Sequence, residues 1–343
     1  MKKMYLIVAA LMLVAALVGC TAQTAPAAPA AAAEAPATEA APAAEAPAAE
    51  APAEEAPAAD KPIKIGFTAL SLYTQFTQNM VDAMQKTATE NGVELIVYDS
   101  NYEIDTQISQ VEDFIVQGVD AIILNPVDAD GLMTAANACA EAGIPLILVN
   151  SRINGDNYTC YVGSSDDQAG MLAGEFAVKA AAGEPKNVII LHGVMGQSTQ
   201  ILRGDGFKGA IEGSGLVIME EQTGNWQRDE AMRLMEDWLL RHDDIDIVFA
   251  ENDEMALGAL EAIKADGRAD RIKVIGVDAI DEAVQAVKDG TMAATIFQDA
   301  AGQGSQSVLA AIEVVKGGTV EKEIMIPFIT IDATNVEEYF GAK

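Results

Sequence analysis

One apolar run after another in this chain ends in a side chain suited to hydrogen bonding: Thr68, Asp99, Asn125, Asn150, His192, Asn252, Asp278 and Gln298. Hydroxyls, amides and carboxyls of this kind can read the donors and acceptors of a small polar molecule. In open α/β sheets the ligand crevice lies outside the carboxyl ends of the strands. Each of these residues could instead cap the helix that follows, as Asn, Asp and Thr commonly do. Capping explains any one of them more easily than the set, because Asn150, Asn252, Asp278 and Gln298 precede helix starts irregularly and glutamine caps poorly. A second feature is the stretch GNWQRDEAM (224–232). It sets Trp226, one of only two tryptophans, between an amide and Arg228 where a helical pattern begins. An aromatic there either packs under the coming helix, as expected of Trp238 in MEDWLL, or offers its face to the loop. Arg228, at helical spacing from Met232, either meets a ligand or pairs with a carboxylate on the surface.

Bond-making chemistry finds little support. The segment IGFTALSLYTQF after the first run lacks both the dinucleotide fingerprint and the Walker pattern, so a nucleotide-dependent reaction is not expected. GVMG (193–196) is only a weak likeness of an oxyanion loop, and no Ser/His/Asp elbow accompanies it. With two histidines and no Cys/His cluster, no metal site is expected. The reading is of a protein without cofactor and without catalytic residues, not an enzyme. The formal net charge of -31 comes without any Lys/Arg-dense stripe, which argues against nucleic acid as a partner. It also disfavours an anionic ligand, unless a local arginine overrides it. Cys139 lies on an apolar helical face and Cys160 in a strand-like run, so two buried thiols are expected rather than a disulfide.

The elements that must position these residues are legible from Ile63 onward. Short β-branched runs (63–68, 93–99, 120–125, 145–150, 187–192, 215–220, 246–252, 272–278 and 293–298) alternate with amphipathic helical patterns. Continuous apolar strands between helices mean parallel sheets covered on both faces. The class is doubly wound α/β, with more strands than one modest domain needs.

The start of the chain reads differently. MKKMYLIVAALMLVAALVGC has two lysines, an apolar run from Met4 to Val18 and small residues at the end, the layout of a secretory signal peptide over 1–19. The run is short for a membrane span, which needs about 20 apolar residues. Leu17-Val18-Gly19-Cys20 resembles the lipobox of bacterial lipoproteins, which implies acylation of Cys20 and attachment to the membrane through that lipid anchor. Residues 20–61 form an Ala/Pro/Glu-rich tether, too poor in large apolar residues to offset the entropy of ordering. Proline and repelling carboxylates should make it a semi-stiff spacer. What remains, roughly 280 residues, can hold two α/β domains.

ENDEMALGALEAIKADG (251–267) and VIGVDAIDEAVQAVKDGTMAATIFQ (274–298) resemble the carboxyl-lobe core of type I periplasmic binding proteins of the ribose-binding branch. These are the sugar receptors of ABC importers. AIILNPVDADGL (121–132) and LRGDGFKGAI (202–211) extend the likeness, which runs from about Ile63 to Ile331. Lac-repressor-like regulators share the receptor fold but need an N-terminal helix-turn-helix where this chain carries an export signal. The resemblance implies two similar doubly wound lobes joined by a three-strand hinge. One lobe would be 62–165 plus 299–324, the other 166–298 plus 325–340, with crossovers near Ser165 to Asp167, Gln298 to Asp299 and Glu323 to Met325.

By the same resemblance Asn252, Asp278 and Gln298 take the places of three polar sugar contacts, and Trp226 that of an aromatic stacked on the ring. Phe76 takes an aromatic position in the first lobe, after a loop two residues longer than in the ribose receptor. Arg152 matches an arginine that reads hydroxyls, with Asn150 or Ser151 replacing a neighbouring aspartate because VNSRING carries one extra residue. Thr68, Thr77 and Asn125 complete the first lobe's candidates, and Arg228 the second's. An arginine of the ribose site aligns with Ile201, so Gln197, Ser198 or Gln200 would fill the vacated edge. Together with EQTGNWQRDEAM, this substitution resembles the myo-inositol-binding relatives more than the ribose receptor. The expected protein is a monomeric, lipid-anchored extracytoplasmic receptor for a neutral sugar or cyclitol, serving an ABC permease with its ATPase. The alternative is a sugar sensor for chemotaxis or a sensor kinase.

Overall fold

The computed structural model describes residues 61–184 and 186–339. The signal peptide over 1–19, Cys20 and the tether over 20–61 lie outside the described residues, Lys61 excepted, as does residue 340 of the second lobe. No helix among the described residues is long and apolar enough to cross a membrane.

Two six-stranded sheets are built on one plan. The first holds β1 (Lys64–Ala69), β2 (Glu94–Asp99), β3 (Ala121–Leu124), β4 (Leu146–Val149) and β5 (Cys160–Gly163). The second holds β6 (Lys186–His192), β7 (Leu216–Thr223), β8 (Ile247–Ala250), β9 (Lys273–Asp278) and β10 (Ala294–Phe297). Their orders, β2-β1-β3-β4-β5 and β7-β6-β8-β9-β10, are the same doubly wound pattern. Each is completed at one edge by a late strand: β11 (Glu323–Met325) pairs in parallel with β5, and β12 (Ile329–Asp332) in antiparallel with β10. AIIL, LILV, CYVG and IVFA are buried throughout, as strands covered on both faces must be.

Helices follow the strands: α1 (Gln75–Glu90), α2 (Ile104–Gln117), α3 (Met133–Ala142), α4 (Asp166–Ala181), α5 (Ser198–Ile211), α6 (Arg228–Arg241), α7 (Asp253–Asp266), α8 (Asp281–Lys288), α9 (Ala300–Val315) and α10 (Val336–Tyr339). The chain passes between the sheets after β5, after β10 and between β11 and β12. Met325 still pairs with Gly163, so the strand pairing carries the first sheet one residue past the expected boundary at 324, and the third crossover occupies residues 326–328. Helices α4 and α5 meet backbone to backbone, since a Cβ on Gly170 would stand 2.0 Å from the Arg203 carbonyl oxygen. That approach fixes the height of α5, and with it the Arg203 side chain. Cys139 and Cys160 are both buried and unpaired.

Candidate functional site

Both sheets direct the carboxyl ends of their strands toward a common cavity between the lobes. The first lobe supplies Leu70, Thr74, Phe76, Thr77 and Tyr102, with Asn150 at the end of β4. From the second come Gln197, Thr199, Arg203 and Trp226, with Asn252, Asp278 and Gln298 following β8, β9 and β10. The cavity sits at the switch point of both windings, where such folds place their ligands.

Trp226 reaches the cavity through a strained turn. Asn225 and Trp226 take φ values of 53° and 62°, and Gln227 N donates to the Gly224 carbonyl at 2.8 Å. A bulky residue at positive φ is a genuine outlier, and its neighbours hold it there. Trp226 Nε1 donates to Gln197 Oε1 at 2.8 Å, and the Trp226 carbonyl accepts from Asn252 Nδ2 at 3.3 Å. The indole lies so close over Gly193 that a Cβ there would stand 1.9 Å from the ring. Tyr102, Asn150 and Asp278 also have positive φ, at 64°, 65° and 124°, so four cavity residues share unusual backbone.

Arg203 organises the polar wall. Its Nε donates to Asp166 Oδ1 at 3.1 Å and its Nη2 to Gln298 Oε1 at 2.8 Å, while Nη1 lies 3.9 Å from Asp278 Oδ1. An arginine can only donate, so the Gln298 oxygen must face it and the amide nitrogen turns away. That Nε2 is buried without a hydrogen-bond partner, and the Tyr102 hydroxyl of the opposite lobe is buried beside the Ser71 side chain. Burial pushes the Asp278 carboxyl up to about 7 against the pull of Arg203. Burial also raises Asp166, again opposed by Arg203. The single guanidinium is thus matched by carboxyls already in place, leaving no surplus positive charge for an anion.

The lobes touch at the rim. Gln197 Nε2 donates to Ser151 Oγ at 2.6 Å, the Arg152 amide donates to Ser198 Oγ at 2.7 Å, and the Ala129 amide donates to the Gly196 carbonyl at 3.1 Å. Gln197 therefore touches the opposite lobe while it holds the indole.

Of the residues expected at the site, Phe76, Thr77, Asn150, Gln197, Trp226, Asn252, Asp278 and Gln298 line this cavity. Asn252 is also the cap of α7, its Oδ1 accepting from the Met255 amide at 2.9 Å, so capping and lining coexist in one side chain. Five others do not line it. Thr68 donates to Gln110 Oε1 at 2.6 Å and fastens α2 to β1. Asn125 donates to the Val149 carbonyl at 3.1 Å behind the cavity wall. The Ser198 hydroxyl is taken up by the Arg152 amide at the rim, and Thr199 faces the cavity in its place. The Arg152 guanidinium stacks 3.7 Å over Tyr161 and pairs with Glu323 at 2.7 Å, tying the β4 loop to β11. Arg228 pairs with Glu254 at 2.9 Å and Glu282 at 2.8 Å.

Sequence reasoning missed Arg203 and Tyr102. Thr199 and Arg203 stand at i and i+4, so one helix face carries both into the cavity. That spacing was available in the sequence. Tyr102 sits in the loop after β2 at φ 64°, where no periodicity could reveal it.

Comparison with known proteins gives a consistent neighbourhood. A family model described as "periplasmic binding protein domain" matches residues 65–319. A Rhizobium meliloti protein to which rhizopine binding is ascribed is 38% identical over 260 residues, covering 74% of this chain and 84% of that protein. The ribose import binding protein of Salmonella typhimurium is 34% identical over 257 residues, 75% of this chain and 86% of that one. Among solved structures, an ABC transporter solute binding protein from Bacillus halodurans with bound myo-inositol is 40% identical. It superposes with a TM-score of 0.78, over 82% of this chain and 99% of the other.

Proposed function

This chain belongs to the periplasmic binding protein family, and from that premise we propose that it is an extracytoplasmic receptor that binds a neutral cyclitol or sugar between its lobes and delivers it to an ABC permease. The observation that carries the reading is the Gln298 amide nitrogen, buried without a partner on a residue that lines the cavity between the lobes beside a buried indole. A buried polar atom left unsatisfied costs roughly 1–3 kcal/mol, so this cavity favours an occupant with a hydroxyl at that place. The indole face carries the negative end of its quadrupole and suits the C–H face of a saturated ring. Compensated charge around Arg203 supports a neutral ligand.

A six-membered polyol, myo-inositol first, is the best fit to these observations. The 40% identical Bacillus halodurans protein holds myo-inositol, and Ile201 is 42% exposed and outside the cavity lining, so it adds no charged contact of the ribose kind. The cycle needs no covalent step. Ligand touches both lobes only when they close on one another, so its differential affinity shifts the population toward the closed form. Cys20 would carry the lipid that keeps the receptor at the membrane; labelled fatty acid should enter the wild-type protein and not Cys20→Ser.

The test is a thermal-shift screen of the purified receptor against myo-inositol, glucose, galactose, xylose, ribose and rhamnose. A ligand that binds only the folded state raises the melting temperature as its concentration exceeds the dissociation constant. One large shift, expected with myo-inositol, supports the reading. The absence of a shift with every polyol would overturn it.

A further inference from the structure

A second space, larger than the ligand cavity, adjoins it, and Phe76, Asp278 and Gln298 line both. Its walls come from both lobes: Asn79 and Asp82 on α1, Asp281 at the start of α8, and Phe297 and Asp299 at the crossover after β10. We propose that this chamber receives a second ring, so that the receptor takes glycosylated polyols: one ring in the inner cavity, a neutral glycosyl group in the chamber, and the bridging oxygen near Gln298. The proposal rests on the polyol reading of the inner cavity and extends it.

Three observations support this occupant. The Gln298 amide nitrogen is buried without a partner on a wall common to both spaces, and an ether or hydroxyl oxygen at that boundary is the acceptor it lacks. Phe76 and Phe297 give the chamber aromatic surface, and a ring of C–H groups packs on such surface. Carboxylates and an amide surround that surface, the groups that accept from sugar hydroxyls. Three aspartates, Asp82, Asp281 and Asp299, outnumber the one lysine of the chamber, Lys86, so a phosphate or carboxylate substituent would meet repulsion. The Asp299 carboxylate also caps α9, accepting from the Gly302 amide at 2.7 Å, which fixes its position.

Calorimetric titration of the receptor with myo-inositol and with its α-galactoside tests the proposal, in the wild type and in two chamber-filling variants. Ala83→Trp and Ala301→Phe place bulk in the chamber from α1 and from the first turn of α9, away from the inner cavity. Wild type should bind both ligands. Each variant should hold myo-inositol within twofold of wild type while losing at least tenfold in affinity for the galactoside. Failure of the wild type to bind the galactoside while binding myo-inositol would overturn the chamber alone, as would galactoside affinity unchanged in both variants. Failure to bind either ligand would overturn the polyol reading, and the chamber with it.

Discussion

Trp226 and Gln197 form one unit: the indole Nε1–H donates to Gln197 Oε1 at 2.8 Å, and the same glutamine donates from Nε2 to Ser151 of the opposite lobe at 2.6 Å. The orientation of the indole is thereby tied to contact between the lobes. Gln197→Ala should leave the indole N–H buried and without its partner and weaken closure as well. The loss of one such bond, roughly 1–3 kcal/mol, predicts an affinity reduced about tenfold or more. Titration calorimetry of the variant against the best ligand checks this, and wild-type affinity would refute the link.

Trp226 is one of two tryptophans, and the other, Trp238, is buried in the core on the inner face of α6. A ligand-induced change in tryptophan fluorescence should therefore come from Trp226. It should vanish in Trp226→Phe and persist in Trp238→Phe. Trp226→Ala removes the ring surface altogether and should cut affinity at least a hundredfold, about 3 kcal/mol, with the circular dichroism spectrum retained. A signal that survives in Trp226→Phe would place the ring elsewhere.

Strands buried on both faces, such as AIIL and LILV, declare themselves as apolar runs, and so the two doubly wound lobes were legible. The strands β11 and β12 were not visible as runs, because they are short, partly exposed edge strands. At the cavity, residue type marked Asn252, Asp278 and Gln298, but direction decided the rest. Arg152 and Arg203 are both guanidiniums near polar strand ends. The first turns to Tyr161 and Glu323, while the close packing of α4 on α5 drives the second inward. Nothing in local spacing separates the two outcomes for Arg152, since its partner Glu323 lies 171 residues away.

Asp278 gives the ligand-free receptor a pH dependence. Its carboxyl would titrate near 3.8 without the fold and at about 7 within it, chiefly through burial. Between those values the folded protein keeps a proton that the unfolded chain has released. The contribution is complete below about pH 4, falls as pH rises and is gone above about 7; it is on the order of 4 kcal/mol at most. Asp278→Asn should melt higher than wild type near neutrality and show a flatter profile. Thermal melts from acid to neutral pH check this. An unchanged slope would assign the effect to Asp253, Asp166 and Glu251, which burial also raises.

Arg203 should prove necessary to the fold as well as to the cavity. It is buried, bonded to Asp166 and Gln298, and in reach of Asp278. Arg203→Met leaves the Asp166 carboxylate buried without its counter-charge. Removing one partner of a buried pair destabilises by about 3–5 kcal/mol. Replacing both partners with apolar residues removes the unpaired charge, so Arg203→Met with Asp166→Leu should recover most of that loss. Ligand affinity should not recover alongside it, because the Gln298 oxygen no longer has the donor that turns its amide nitrogen toward the cavity. Chemical denaturation reports the first quantity and calorimetry the second. If stability and affinity returned together in the double variant, Arg203 would be only a counter-ion, and the orientation of Gln298 would not depend on it.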